Sequence, residues 1–188
     1  MGGRTMKAQQ EHYALARVRT GEPESGAPLF NQLKGTEIMN LRRAQENDPN
    51  TLLGERFLCR GGGALLVGPT GVGKSSLMMQ MAISFGLGRE CFGINPNGRL
   101  RSVIVQAEND EGDMAEMRDG VIEGMELSEE EIAALGGWWE PLTVHHETGL
   151  RGKALVANVL MPVADFRAPD LVWIDPALSY LDGEPNSA

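Results

Sequence analysis

The chain has 188 residues, of which 41% are hydrophobic, and a formal net charge of −9. This length suits one domain with a substantial hydrophobic core. The acidic balance argues against a broad basic surface for nucleic acid, although one loop or a ring pore can still contact it. No apolar run approaches the roughly 20 residues that a membrane-spanning helix needs. The first thirty residues also lack the apolar core of a secretory signal, so we expect a soluble, cytoplasmic protein.

The start of the chain differs in composition from the rest. Residues 1–30 are polar and rich in turn-forming residues, which predicts a flexible tail ahead of a domain over residues 31–188. A helix is expected at about 34–46, where Asn47-Asp48-Pro49-Asn50 would end it. Cys59 and Cys91 lack metal-type spacing, and a reduced protein in which both are packing residues is the simplest account.

A glycine-rich stretch lies between an apolar run and a helical pattern. It reads Gly68-Pro69-Thr70-Gly71-Val72-Gly73-Lys74-Ser75-Ser76 and fits the phosphate-loop pattern G-x-x-x-x-G-K-[ST]. Its glycines let the backbone turn tightly around a polyphosphate, which the loop N–H groups and the helix N-terminus attract. Lys74 can then reach the β/γ-phosphates, and the Ser75 hydroxyl can bind Mg²⁺. The alternative is an ordinary glycine-rich turn between a strand and a helix.

The remaining chain alternates between strand and helix patterns. Strands are predicted at 64–67, 102–107, about 142–146 and 170–175, and helices at 74 to about 85, about 110 to about 124, 128–135 and about 153–163. The strand at 64–67 is apolar without alternation, so we expect it to be buried on both faces. In the first helix, Leu77, Met81 and Phe85 form the expected inner stripe. The alternation predicts an α/β fold with a mostly parallel sheet between helices.

Two acidic residues end predicted strands. Asp175 closes an apolar strand, where a P-loop protein places the acid that holds Mg²⁺; alternatively it only starts a turn before Pro176. Glu108 directly follows the strand at 102–107, where a carboxylate can orient an attacking water and accept its proton. The alternative for Glu108 is an acid at the start of the next helix, like Asp110, which is the next candidate for the base.

These motifs together resemble the RecA-like core of RepA-type replicative helicases, which are hexameric ring ATPases common on plasmids and phages. The resemblance covers about residues 50–185 and is carried by Gly68–Ser76, Gln106-Ala107-Glu108 and residues 169–176, with similarity also at 53–58 and 178–183. It implies a RecA-like P-loop NTPase fold. It also implies that Lys74 and Ser75 bind phosphate and Mg²⁺, that Asp175 completes the metal site, and that Glu108 is the catalytic base.

The chain departs from that family at its C-terminal side. The family's sheet continues beyond the position of Asp175, and one later strand inserts between the phosphate-loop strand and the Asp175 strand. The sensor polar group, the nucleic-acid-binding loops and the arginine finger belong to that later part, whereas this chain stops at Ala188. We therefore expect a partial RecA-like ATPase domain that is incomplete at the C-terminal side.

The sequence thus predicts Mg²⁺-dependent ATP binding and hydrolysis by a module that assembles with copies of itself. The resemblance adds a hexameric ring, single-stranded DNA as a partner and a place in a replicative DNA helicase or related DNA-dependent motor. One alternative is a nucleotide-binding scaffold without turnover. Another is a P-loop small-molecule kinase, which the acidic stretch at 110–131 disfavours because it would repel an anionic acceptor.

Two aromatic pairs stay outside the predicted site. His145 and His146 are adjacent strand residues that would point to opposite faces, so they are not expected to form one metal site. A strand edge is the expected role for both, with lining of the nucleotide cleft as the alternative. Trp138 and Trp139 are expected to pack under a loop, with stacking on adenine or DNA as the alternative.

Overall fold

The structure is a computed structural model that describes residues 37–45, 48–136, 142–146 and 149–182. The chain divides into two compact units, Met1–Ala44 and Gln45–Ala188. The tail expected over residues 1–30 lies outside the described residues, as do Trp138 and Trp139.

In the first unit the predicted helix at 34–46 is wrong for the residues described. Only a 3₁₀ turn forms at Ile38–Asn40, and Leu41 then adopts extended backbone with ψ 131°. Glu37 provides no side-chain cap for this turn, and Ile38 and Met39 are exposed. A short helix that has neither a cap nor a packed face is marginal in water, which explains why the helical pattern does not suffice here.

The second unit begins with a hairpin and continues as alternating strands and helices. The hairpin strands β1 (Thr51–Leu53) and β2 (Leu58–Cys59) pair antiparallel. The main sheet has three parallel strands in the order β4-β3-β5, namely β3 (Ser102–Gln106), β4 (Leu142–His146) and β5 (Leu171–Asp175). The helices are α1 (Lys74–Leu87), α2 (Glu111–Gly124), α3 (Glu129–Leu135), α4 (Gly152–Leu155) and α5 (Met161–Arg167). A π-helical segment, Val156–Leu160, joins α4 to α5, and a 3₁₀ turn at Ala177–Tyr180 follows β5.

Helices cover both faces of β3, the central strand, whose five residues are all buried. On one face Ile104 packs with Met79 and Ile83 of α1. On the other face Val103 packs with Leu155 of α4. This arrangement confirms the predicted α/β fold with a parallel sheet between helices.

The buried side of α1 differs from the predicted stripe. Phe85 is fully buried as expected, but Leu77 and Met81 are only half-buried. Met79 and Ile83 are fully buried in their place. The helix carries apolar residues around most of its circumference, so their spacing alone could not show which side faces the sheet.

The strand predicted at 64–67 does not form. Leu65 is 76% exposed and Val67 78% exposed, and the segment makes no backbone hydrogen bond to any residue in the described ranges. The resemblance places a further strand between this segment and β5, and β5 lies at the edge of the described sheet. An apolar run becomes a buried strand only where a neighbour completes its hydrogen-bond ladder, and none of the described strands does so.

Candidate active site

The first helix of the second unit runs antiparallel to the strands of the sheet. Phe85, near the end of α1, packs with Leu171 at the start of β5. Met79, near the beginning of α1, borders the same cavity as Gln106 at the end of β3. The glycine-rich loop that precedes α1 therefore lies at the carboxyl edge of the sheet, where open α/β sheets bind their ligands.

The glycine-rich loop enters α1 through left-handed backbone. Gly71 has φ +80° and Gly73, the N-cap of α1, has φ +83°. No atom lies within 4 Å of a Cβ built at either position, so the backbone conformation is what favours glycine there. Gly68 is different, since its Cβ would lie 3.4 Å from Val72 Cγ2.

Donor groups without acceptors collect at the start of α1. The N–H groups of Gly73, Lys74 and Ser75 donate to no residue in the parts of the chain that the structure describes. The Lys74 ammonium folds back over the loop and donates to the carbonyl oxygens of Gly68, at 2.9 Å, and Pro69, at 2.7 Å. A helix N-terminus with free amides and an adjacent ammonium forms a cradle that is suited to an anion such as a polyphosphate.

The ends of β3 and β5 bring the two predicted acids to the same edge. Gln106 lies opposite Asp175 in the parallel register of these strands. Its side-chain amide donates to Asp175 Oδ2 at 3.1 Å, and its Oε1 accepts the backbone N–H of Glu108 at 3.0 Å. Asp175 and Glu108 are therefore linked through one buried side chain.

The Glu108 and Asp110 carboxylates differ in their hydrogen bonds. Asp110 is the N-cap of α2, and its carboxylate accepts the Asp113 N–H at 2.9 Å in a capping box. Glu108 is exposed, and its carboxylate has no hydrogen bond or ion pair with the described part of the chain. Of these two candidates for the base, Glu108 is the one whose carboxylate is available to a ligand.

The oxygen donors at this edge are compatible with a magnesium ion. Ser75 offers a hydroxyl in the first turn of α1, and Asp175 offers a carboxylate at the end of β5. Mg²⁺ prefers such hard oxygen ligands and takes the rest of its shell from water and substrate phosphates. No cluster of three or more His, Cys, Asp or Glu able to hold a metal occurs among the described residues, and a phosphate-assisted Mg²⁺ site needs none.

The sequence indicated no separate role for Gln106, and for His146 it predicted a strand edge, with lining of the nucleotide cleft as the alternative. His146 lies opposite Gln106 in the register of β3 and β4, and its Nδ1–H donates to the Asn109 carbonyl at 2.8 Å. His145 is partly buried, and its Nε2 has no hydrogen-bond partner within the described ranges. The signal for His146 was its position at a strand end, but its partner on the neighbouring loop could be recognised only after the strands were in register.

A cavity of about 370 Å³ opens beside these strand ends. Its walls include Met79, His146, Asp110, Glu111 and Arg118. Arg118 pairs with its neighbour Asp119 at 2.7 Å, so the described lining offers no unpaired arginine to an anionic ligand.

None of the helices that the structure describes is long and apolar enough to cross a membrane. A family model for an AAA domain matches residues 30–188. No curated protein and no solved structure shows a significant match to the chain.

Proposed function

Because the chain belongs to the family of AAA domains, an ATPase-type family with a phosphate loop, we propose that it binds ATP with Mg²⁺ and hydrolyses the bond between the β- and γ-phosphates to give ADP and phosphate. One observation carries this proposal. Glu108 and Asp175 lie at the carboxyl ends of β3 and β5, and the glycine-rich loop leads into α1, which packs on β3.

Each residue of the site has a role in this proposal. The free amides at the start of α1 bind the phosphate oxygens, and Lys74 exchanges its contacts with Gly68 and Pro69 for the β/γ-phosphates. Mg²⁺, held by Ser75 and Asp175, would supply charge neutralisation at the phosphates when it is bound. Glu108 orients the attacking water and accepts its proton.

We propose further that this ATPase is part of a replicative DNA helicase or a related DNA-dependent motor. The support is the resemblance of Gly68–Ser76, residues 106–108 and residues 169–176 to RepA-type helicases. Self-assembly into a ring and contact with single-stranded DNA follow from the same resemblance. The net charge of −9 favours confined contacts with DNA over a broad basic surface.

The test measures ATP hydrolysis and nucleotide affinity, with and without single-stranded DNA, for the wild type and two variants. Lys74→Ala should lose nucleotide affinity, because the ammonium that contacts the phosphates is gone. Glu108→Gln should keep ATP bound while hydrolysis falls by about 10²–10⁴-fold, the usual contribution of a general base. Asp110→Asn is the matched control, since asparagine keeps the helix cap and hydrolysis should stay near the wild-type rate.

The results distinguish the proposed function from its alternatives. DNA-stimulated hydrolysis supports the motor. Tight binding without turnover would favour a nucleotide-binding scaffold, and ATP loss that requires a small acceptor would favour a kinase. The acidic residues Asp110 and Glu111 in the cavity wall argue against an anionic acceptor. Unchanged affinity and rate in Lys74→Ala would remove the phosphate-loop assignment altogether.

A further inference from the structure

One polar side chain, that of Gln106, is buried in the core of the sheet and forms hydrogen bonds through both its oxygen and its nitrogen. Gln106 is 0% exposed, in the last position of the central strand β3. Its Oε1 accepts two backbone N–H groups, from Ala107 at 2.7 Å and from Glu108 at 3.0 Å. Its amide nitrogen donates to Asp175 Oδ2 at 3.1 Å and lies 3.7 Å from Met114 Sδ.

An amide is the group that can make this set of contacts. Its carbonyl oxygen accepts from the loop while its NH₂ donates to the carboxylate, so both ends are satisfied inside the protein. A carboxylate at the same position would face Asp175 with like charge, and an apolar side chain would leave the Glu108 N–H without this acceptor. The Ala107 N–H would still have the Asp175 backbone carbonyl at 3.1 Å.

The loop that carries Glu108 is held from a second side. His146 of β4, on the other side of Gln106, donates its Nδ1–H to the carbonyl of Asn109. The backbone of Glu108 thus lies between a hydrogen bond at its own amide and one at the next residue's carbonyl. The Glu108 carboxylate remains available to a ligand, whereas its backbone position is fixed.

We propose that Gln106 is a positioning residue that sets Glu108 and Asp175 relative to each other for ATP hydrolysis. This inference rests on the proposed function, because it assigns those two acids the roles of base and metal ligand. Gln106 itself touches neither the nucleotide nor the reacting water. It acts by fixing the backbone of one acid and the carboxylate of the other.

Two substitutions of Gln106 test its contact with the Glu108 backbone and its contact with the Asp175 carboxylate. Gln106→Met has a similar volume but loses both the acceptor and the donor. Gln106→Glu keeps an oxygen for the loop N–H groups but places a second carboxyl group against Asp175 where the amide donor was. We expect both variants to reduce kcat by about 10–100-fold, the usual cost of removing a group that orients a metal ligand, with KM and nucleotide affinity changed by less than about threefold.

Hydrogen exchange supplies a readout that does not depend on activity. Exchange at the Glu108 amide should accelerate by about tenfold or more in Gln106→Met and remain near the wild-type rate in Gln106→Glu. Ser102→Ala is the matched control, because Ser102 is a buried polar residue of the same strand that accepts the Trp173 Nε1–H at 3.1 Å. It should lower stability without changing kcat or exchange at Glu108.

The results of these measurements distinguish the positioning role of Gln106 from the proposed ATPase activity. If the wild type hydrolyses ATP and either Gln106 variant retains its kcat within about threefold, the positioning role is overturned and the ATPase stands. A wild type that binds ATP without hydrolysing it removes the proposed function, and with it the role of Gln106 in turnover. Urea unfolding verifies that each variant is folded; if Gln106→Met fails to fold, Gln106→Glu decides the kcat test alone.

Discussion

The glycines of the phosphate loop are not equally required. At Gly71 and Gly73 the requirement is conformational, because both have positive φ and no atom lies within 4 Å of a Cβ built there. At Gly68 the φ is not positive, and a Cβ would make only ordinary van der Waals contacts, 3.4 Å from Val72 Cγ2 and 3.7 Å from Lys74 Cδ. A substitution in this loop therefore has a cost that depends on the position.

Gly73→Ala should destabilise the loop by about 1–2 kcal/mol, the cost of left-handed backbone for a residue with a Cβ. Nucleotide affinity should fall by about tenfold, since relaxation of the loop would misplace the amides of Lys74 and Ser75. Gly63→Ala is the control, because Gly63 has no positive φ and nothing lies within 4 Å of its Cβ position. Titration with a fluorescent ATP analogue compares the two, and equal affinities would contradict the conformational argument.

The sequence predicted the phosphate loop but not the buried contact between Gln106 and Asp175. The phosphate-loop pattern lies within nine consecutive residues, Gly68–Ser76, so spacing alone reveals it. Gln106 and Asp175 are 69 positions apart, and only the register of β3 and β5 makes them neighbours. A polar residue at the end of an apolar strand gives no sign of which strand will lie beside it.

Among the elements, α3 shows how local chemistry alone can define a helix boundary. Ser128 accepts the Glu131 N–H, and the Glu131 carboxylate accepts the Ser128 N–H at 3.0 Å. The sequence predicted a helix at 128–135, and its capping box is visible in the sequence because both partners lie within four residues. The described part of the helix predicted at 34–46 has no such cap and no packed face, and it forms a 3₁₀ turn but no α-helix.

Ser128→Ala should lower the free energy of unfolding by about 1 kcal/mol through the loss of the N-cap bond. Chemical denaturation at neutral pH measures the change. Glu130→Ala, in the same exposed first turn, serves as the control and should have a smaller effect, because no side-chain hydrogen bond of Glu130 to the described residues is lost. A Ser128 variant with the control's stability would argue against the capping role.

The same box makes part of the stability depend on pH. The Ser128 backbone N–H holds the pKa of Glu131 below its ordinary value of 4.5, with help from the Ser128 hydroxyl and Arg89. A lowered folded-state pKa stabilises the protein above pH 4.5, and this contribution disappears as the pH falls through the folded-state pKa. Glu131→Gln should therefore lower the urea midpoint at pH 7, and this effect should become smaller as the pH falls below 4.5. An effect that does not change with pH would contradict the linkage.

Across the whole molecule, an apolar segment is buried where a neighbouring strand pairs with it. The strands at 102–106 and 171–175 were predictable because apolar runs alternate with helices, and their pairing with each other is parallel as expected. The run at 64–67 has the same apolar character, yet it is exposed because no described strand lies beside it. Composition identified the apolar segments, but tertiary pairing decides which of them enter the core.

The substitutions Ile104→Ala and Leu65→Ala compare an apolar side chain buried in the sheet with one on the exposed segment at 64–67. Ile104 is 0% exposed at the centre of the sheet, and its truncation should cost about 2–5 kcal/mol. Leu65 is 76% exposed, and its truncation should change the free energy of unfolding by less than about 0.5 kcal/mol. Urea denaturation measures both, and a large loss at Leu65 would mean that this segment is buried in solution.

The open side of β5 also affects how the protein behaves at high concentration. Val172 and Ile174 are exposed on β5, which is the outermost of the described strands. Leu65 and Val67 are exposed on the segment at 64–67, which pairs with none of the described strands. Unprotected sheet edges with apolar side chains promote aggregation, while the net charge of −9 opposes it through mutual repulsion. Added salt screens that repulsion, so turbidity should rise with ionic strength and protein concentration, and dilute low-salt buffers should keep the chains dispersed.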